Sequence, residues 1–432
     1  MAITYEWRKS EYWNDLDTNG GYFVYTKVYN NTAENIHPNV SNAQRAAGGN
    51  FYKKVYWHLT SGTATGVEFG IDKTSESEDY YAVAKGLSSD VQTDAKSFQD
   101  TYWYMVGELA TALSSGVAAS LDANFSAAYG VLPAGKCALL NFTNLNGSGI
   151  APIEIFTVSS SANSGIMWTG TQAHIKLASG TVKTDYPIKT KGAIIGTEAS
   201  PYTGIDGTVL LMDVNTVIHT ITFPNTESLS GVITTLNTFL DAYGDHATAI
   251  ATPSKVTIEN NRYYYNNCVQ CTGGTARTII GFSTDAATST DGTMVGGVLE
   301  LGTVTTSVAS LIVTSSYGTF DDSSYPILTF KAGTIDEHWT LTFDNTVSFT
   351  VSGNRKGNVL SGTITTTCQA ANQGSNYWRI QPASFNNSFV AGDEIEWDTT
   401  SSVPSIWMKR IVPTSCGSWG INKSSYWLQS DE

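Results

Sequence analysis

Charge is scarce in this chain. Only 14% of its 432 residues are charged, and cations are the rarer sign, with 24 Lys and Arg against 38 Asp and Glu. The resulting net charge of −14 argues against nucleic acid as a partner, because affinity for phosphates comes largely from basic side chains. Long apolar runs are missing as well. No stretch approaches the roughly 20 apolar residues that cross a bilayer, so no membrane insertion is expected. The opening Met1 to Glu6 has neither the basic start nor the apolar core of a secretory signal, so export by the usual route is not expected either. Cysteine is sparse and odd in number: Cys137, Cys268, Cys271, Cys368 and Cys416 are spread too widely for a disulfide framework, which suits a protein made in reducing cytoplasm. The six histidines are scattered, and no GxSxG, HExxH, phosphate loop or GxGxxG follows a strand. No enzyme, cofactor or metal is expected on these grounds.

What the chain does have is Thr, Ser, Asn, Tyr and 39 glycines, the composition of many short strands joined by turns. The expected fold is mainly β, with several β-sandwich-like domains and one small α+β insertion module. A chain this long exceeds one ordinary core. Four spans are expected: 1–85, an amino-terminal β domain; 86–203, a β domain; 204–292, the α+β module; and 293–432, a carboxy-terminal β-sandwich-like domain.

The module reads most clearly. Gly207 to Asn215 and Thr216 to Phe223 are β-branched runs that predict paired strands. Leu229, Val232, Ile233, Leu236, Phe239, Leu240 and Tyr243 then form one apolar stripe at helical period, with Thr226 or Ser228 as N-cap and Gly244 as stop. Thr248 to Glu259 and Arg262 to Gln270 read as strands and Thr278 to Phe282 closes the module, giving a helix on one face of a short antiparallel sheet. This order, with Val217 to Phe223, the helical stripe and Ile279-Ile-Gly-Phe282, resembles the insertion module of flagellins and of many tailed-phage structural proteins. The resemblance implies surface display or assembly and no chemistry.

Upstream, Trp7, Tyr12, Trp13, Tyr22, Phe23 and Tyr25 give the amino terminus an unusual aromatic density. Trp7, Tyr12 and Trp13 are candidate anchors for a neighbouring subunit; the competing reading is that they enter their own domain. Asp15-Leu-Asp-Thr-Asn-Gly20 has the oxygen spacing of half a calcium loop, but Thr26 stands where the closing Glu belongs, so a plain polar turn is preferred. A helix is expected within Asp90 to Leu113, weakened by Gly107 and by the triplet Tyr102-Trp103-Tyr104. The segments Asn14 to Gly21, Ile36 to Ser41 and Gly48 to Lys54 resemble the start of structural proteins of Mu-like and related tailed phages. So do Glu337 to Phe343, Phe349 to Gly353, Phe389 to Asp393 and Val403 to Pro413, in order and spacing.

Three features invite a chemical reading. Cys268-Val-Gln-Cys271 has zinc-ligand spacing but no second pair nearby, so buried thiols are expected. Asp321-Asp322, Asp336-Glu337 and the run Asp393, Glu394, Glu396, Asp398 offer paired carboxylates, and Trp339, Trp378 and Trp397 offer rings for sugar stacking, as a glycosidase needs. The alternative places Glu394, Glu396 and Asp398 on the solvent face of a strand that buries Ile395 and Trp397.

The resemblance implies a non-enzymatic virion protein, made in the host cytoplasm and assembled with other virion proteins, homo-oligomeric in the particle, first at the tail tip or baseplate. Neck or capsid decoration, or a carbohydrate-binding adhesin with a host-surface glycan as partner, is the alternative. A glycan depolymerase ranks behind both.

Overall fold

The computed structural model describes residues 4–29, 36–37, 40–73, 79–99, 102–117, 120–125, 135–141, 153–159, 166–169, 171–178, 181–183, 185–186, 188, 193–214, 217–224, 227–242, 247–260, 268–284, 286–288, 293–372, 374–414 and 425–431. The fold is mainly β, built of several separate sheets with few helices. Two units divide the chain: residues 1–105 with 298–432, and residues 106–297.

The discontinuous unit is organised around the 13-residue strand Gly49–Ser61. It pairs antiparallel with Thr4–Tyr12 on one side and with Ser405–Val412 on the other, and Ser405–Val412 pairs onward with Tyr80–Gly86. A strand from the carboxy terminus therefore lies between two from the amino terminus. Both faces of Gly49–Ser61 are buried: Val55, Trp57 and Leu59 on one, Tyr52, Lys54, Tyr56 and His58 on the other. The edge beyond Thr4–Tyr12 is Gly20–Lys27. A second sheet of the same unit sets Ala64–Lys73 between Leu299–Val304 and Ser425–Asp431.

Also in this unit, residues 307–400 form a sandwich. One sheet runs Ser307–Thr314, Glu394–Thr400, Glu337–Phe343, Ser348–Gly353, Gly357–Thr363; the other runs Leu328–Thr329, Ser375–Ile380, Cys368–Asn372. Glu337–Phe343 alternates strictly, with Trp339, Leu341 and Phe343 buried against Trp378, Ile380 and Cys368 from the facing sheet. Period-2 patterning with one face inward is what an antiparallel sandwich sheet requires.

In the other unit the helix Leu229–Ala242 forms where the apolar stripe predicts it. Ser228 caps it, its hydroxyl accepting from the Gly231 N–H at 3.1 Å. Val232, Leu236 and Leu240 are buried in a core with Leu210, Met212, Phe223, Ala249, Val256 and Ile258. The structure corrects the surroundings of this helix. Two sheets share its core: Ala193–Ile195, Val256–Asn260, Ala247–Ala251, and Val217–Thr222, Val209–Val214, Cys268–Gly273, Ala286–Thr288. The core also takes in Ile194 and Tyr202, upstream of residue 204. The closing run begins inside a short helix, Thr275–Ile280, which ends at Gly281 with φ 78°. Ala276 and Ile280, four apart, are its buried face. Tyr243, Gly244 and residues 262–267 lie outside the described residues.

The helix expected within Asp90 to Leu113 is also corrected. It is only Gln92–Ser97, followed by the strand Tyr104–Leu109. Gly107 is needed in that strand, since a Cβ there would stand 2.6 Å from the Asn124 carbonyl oxygen.

Candidate interaction site

The first strand ends at Tyr12, and the chain reverses through residues 13–19 before Gly20–Lys27 returns. The turn is held tightly. Leu16 N–H donates to Asn14 Oδ1 at 2.9 Å, an Asx-type closure, and Asn19 N–H donates to the Leu16 carbonyl at 2.9 Å. Asn19 is fully buried, its amide donating to the Tyr52 carbonyl at 2.6 Å and to Gln92 Oε1 at 3.2 Å. Asp15 receives Lys53 Nζ at 2.6 Å, and Asp17 pairs with Lys96. Of the oxygens that imitate half a calcium loop, those of Asp15 and Asp17 are thus each engaged with a lysine, while Asn19 Oδ1 is buried without a hydrogen-bond partner. Among the described residues no group of three or more His, Cys, Asp or Glu side chains is placed to hold a metal ion.

This rigid turn presents apolar side chains outward. Tyr12 is 48% exposed and Leu16 66%. Trp13 is half-buried, with Lys9 Nζ 4.9 Å and Lys53 Nζ 5.4 Å from its ring centroid. Two ammonium groups fix the ring's position through its quadrupole while leaving it at the surface. Trp7 behaves differently. It sits opposite Trp57 in the strand register, and its ring packs 5.5 Å from that of buried Phe69. Of the three candidate anchors the structure brings Tyr12 and Trp13 to the surface, turns Trp7 toward its own core, and adds Leu16, which no sequence pattern singled out.

Next to the turn lies a buried cation. Lys54 Nζ is within 3.1 Å of the Gly21 carbonyl, 2.5 Å of Leu87, 3.0 Å of Ser88 and 3.0 Å of Asp90. Tyr56 adds its hydroxyl, donating to the Gly21 and Ser88 carbonyls at 2.5 and 2.8 Å. Together they tie the return strand to the loop at residues 87–90. Burial pushes the Lys54 amine down to about 7, against the pull of Asp90, Asp94 and Asp336. Burial likewise lowers His58 to about 4, although its Nε2 meets the Lys331 carbonyl at 3.2 Å.

A shallow cleft in the same unit is lined by Tyr22, Phe23, Tyr56, Asp336, Arg355 and Lys356 among others. The Arg355 guanidinium lies 3.2 Å from the centroid of the Tyr22 ring.

The residues that suggested glycoside chemistry take other roles. Trp339, Trp378 and Trp397 are fully buried, Trp378 packing edge to face against Trp339 at 5.8 Å and against Trp397 at 5.2 Å, so they offer no sugar platform. Ile395 and Trp397 point inward while Glu394, Glu396 and Asp398 lie on the other face. His338 Nδ1 bonds Asp398 at 2.8 Å, which holds that carboxyl below its usual range. Asp321 accepts from the Ser324 N–H and the Ser323 hydroxyl. Asp336 accepts from Ser401, Glu337 from Arg355 N–H, and Asp393 from Val390 N–H and the Ser315 hydroxyl. These acids close turns and strand ends. Cys271 is a buried thiol, raised to about 12 by burial, as are Cys137 and Cys368; the Cys268 side chain and Cys416 lie outside the described residues. Set beside known proteins, the chain matches no family model, no curated protein and no solved structure.

Proposed function

We propose that this chain is a non-enzymatic structural protein of a tailed-phage virion, placed first at the tail tip or baseplate, and that the turn at residues 12–17 is a contact with a neighbouring subunit. The observation that carries the reading is that turn. An ordered reversal, held by two lysine pairs and a buried asparagine, presents Tyr12 and Leu16 to solvent with Trp13 half-buried beside them. Exposed apolar side chains on a preorganised support are what interface anchors consist of, because little entropy is lost when they dock. The resemblance to Mu-like phage structural proteins supplies the setting. The use of the acidic clusters as turn closures fits a protein whose carboxylates serve its architecture. A mass spectrum of purified particles tests the proposal: peptides of this chain in stoichiometric amounts support it, and their absence contradicts it.

The cleft beside Tyr22 favours a second reading, a carbohydrate-binding adhesin. Aromatic rings beside the cationic Arg355 and Lys356 are suited to sugar rings and their carboxylates. An isolated chain that binds a glycan array, and loses binding on Tyr22→Ala, would favour that reading over the first.

A further inference from the structure

The strand Val217–Thr222 is the edge of its sheet, and among the described residues no strand lies beyond it. Its register with Val209–Val214 runs through six consecutive pairs without a bulge. It carries no charge and no proline, and β-branched residues fill five of its six positions. Such an edge is a template for another strand unless something blunts it. Two other edges among the described residues are blunted. Ala247–Ala251 has its outer side taken by Asn237 of the long helix, whose amide donates to the Ala249 carbonyl at 3.0 Å and accepts from the Ala249 N–H at 2.7 Å. Ser307–Thr314 is broken by a register shift between Ala309 and Ile312, with Ser310 at φ 55°.

We propose that Val217–Thr222 pairs with the same strand of a second copy of this chain, antiparallel across a two-fold axis centred on Thr220. Three features select that occupant and that register. Two residues separate the pair Val214 and Val217, so Val217, His219 and Ile221 bond to Val209–Val214, and Ile218, Thr220 and Thr222 direct their N–H and C=O groups outward. A two-fold axis at Thr220 sets Ile218 opposite Thr222 of the copy and Thr220 opposite itself, so every outward group finds a partner.

The faces also agree. Ile218, Thr220 and Thr222 are exposed on the outer face, whereas His219 lies against Phe239 of the helix and Ile221 is buried. A register shifted by one residue would set outer-face residues against helix-face ones. Electrostatics decide between a copy and a charged partner: in a chain of net charge −14 this strand is neutral, so self-pairing opposes no like charges on the paired strands. Six residues a side is far below the roughly 20–30 of a stable interface. The pairing is therefore weak in dilute solution and fills at high local concentration, whether or not the chain belongs to a virion.

Single cysteines read the register directly. In Thr220→Cys the two Cα atoms stand about 5.5 Å apart, within disulfide reach, whereas in Ile218→Cys they are separated by about 13 Å along the strands. The full-length Thr220→Cys protein is expected to form disulfide-linked dimers on mild oxidation above the background of the parent's own cysteines, and Ile218→Cys is not. Thr220→Lys, which opposes two ammonium groups, is expected to keep the parent's melting temperature and lose its concentration-dependent dimer in sedimentation. The proposal is overturned if Ile218→Cys cross-links as readily as Thr220→Cys, if Thr220→Cys cross-links to a different protein instead, or if Thr220→Lys self-associates like the parent.

Discussion

Lys54 shows how a single residue can hold two chain segments together. Three ammonium protons are shared among four backbone carbonyls in a site the side chain fills completely. Replacing it by Met strands those carbonyls, and Lys54→Met is expected to cost about 3–5 kcal/mol in urea unfolding. The pH dependence has a definite sign. The folded amine titrates at about 7 and the unfolded one at about 10.4, so between these values the unfolded chain binds more protons and stability rises with pH. Relative to Lys54→Met, the parent should gain stability across that window; a flat difference would contradict the assignment. His58 acts at the acid end. Its folded value of about 4 lies below the ordinary value of 6.5, so its contribution is complete above 6.5 and is lost as pH falls toward 4. Alternation in the sequence marks Lys54 as sharing a face with Tyr52, Tyr56 and His58, but the carbonyls that receive its amine come from turns whose folding no local pattern encodes.

At the scale of elements, legibility followed length. The stripe from Leu229 to Leu240 spans three turns, and the helix stands where it predicts, with Leu236 fully buried. Leu236→Ala is expected to cost ~2–5 kcal/mol in the unfolding of this unit; a change under about 0.5 kcal/mol would contradict its place in the core. Thr275–Ile280 has too few residues to establish a helical period, and its Thr-Ile-Ile run carries strand propensity. Tertiary packing of Ala276 and Ile280 overrides that propensity. The acidic strand Glu394–Thr400 was legible because its period-2 alternation is complete. The three tryptophans were ambiguous in the sequence, since a ring stacked in a core and a ring offered to a sugar leave the same letter.

For the whole molecule, the division into two units could not be read locally. Strand patterns give a period and say nothing of the partner, and Ser405–Val412 inserts between Gly49–Ser61 and Tyr80–Gly86 from the far end of the chain. At this scale we propose that the chain is a virion component whose turn at residues 12–17 docks on a neighbour. Trp13→Ala tests it most directly, measured as incorporation into purified particles beside the melting temperature of the free protein. Because Lys53 keeps its hydrogen bonds to Asn14 and Asp15 without the ring, the free variant should melt with the parent. An unchanged melting temperature together with loss of the chain from particles is expected. A Trp13→Ala protein that enters particles as the parent does, or one that is itself unfolded, would contradict it.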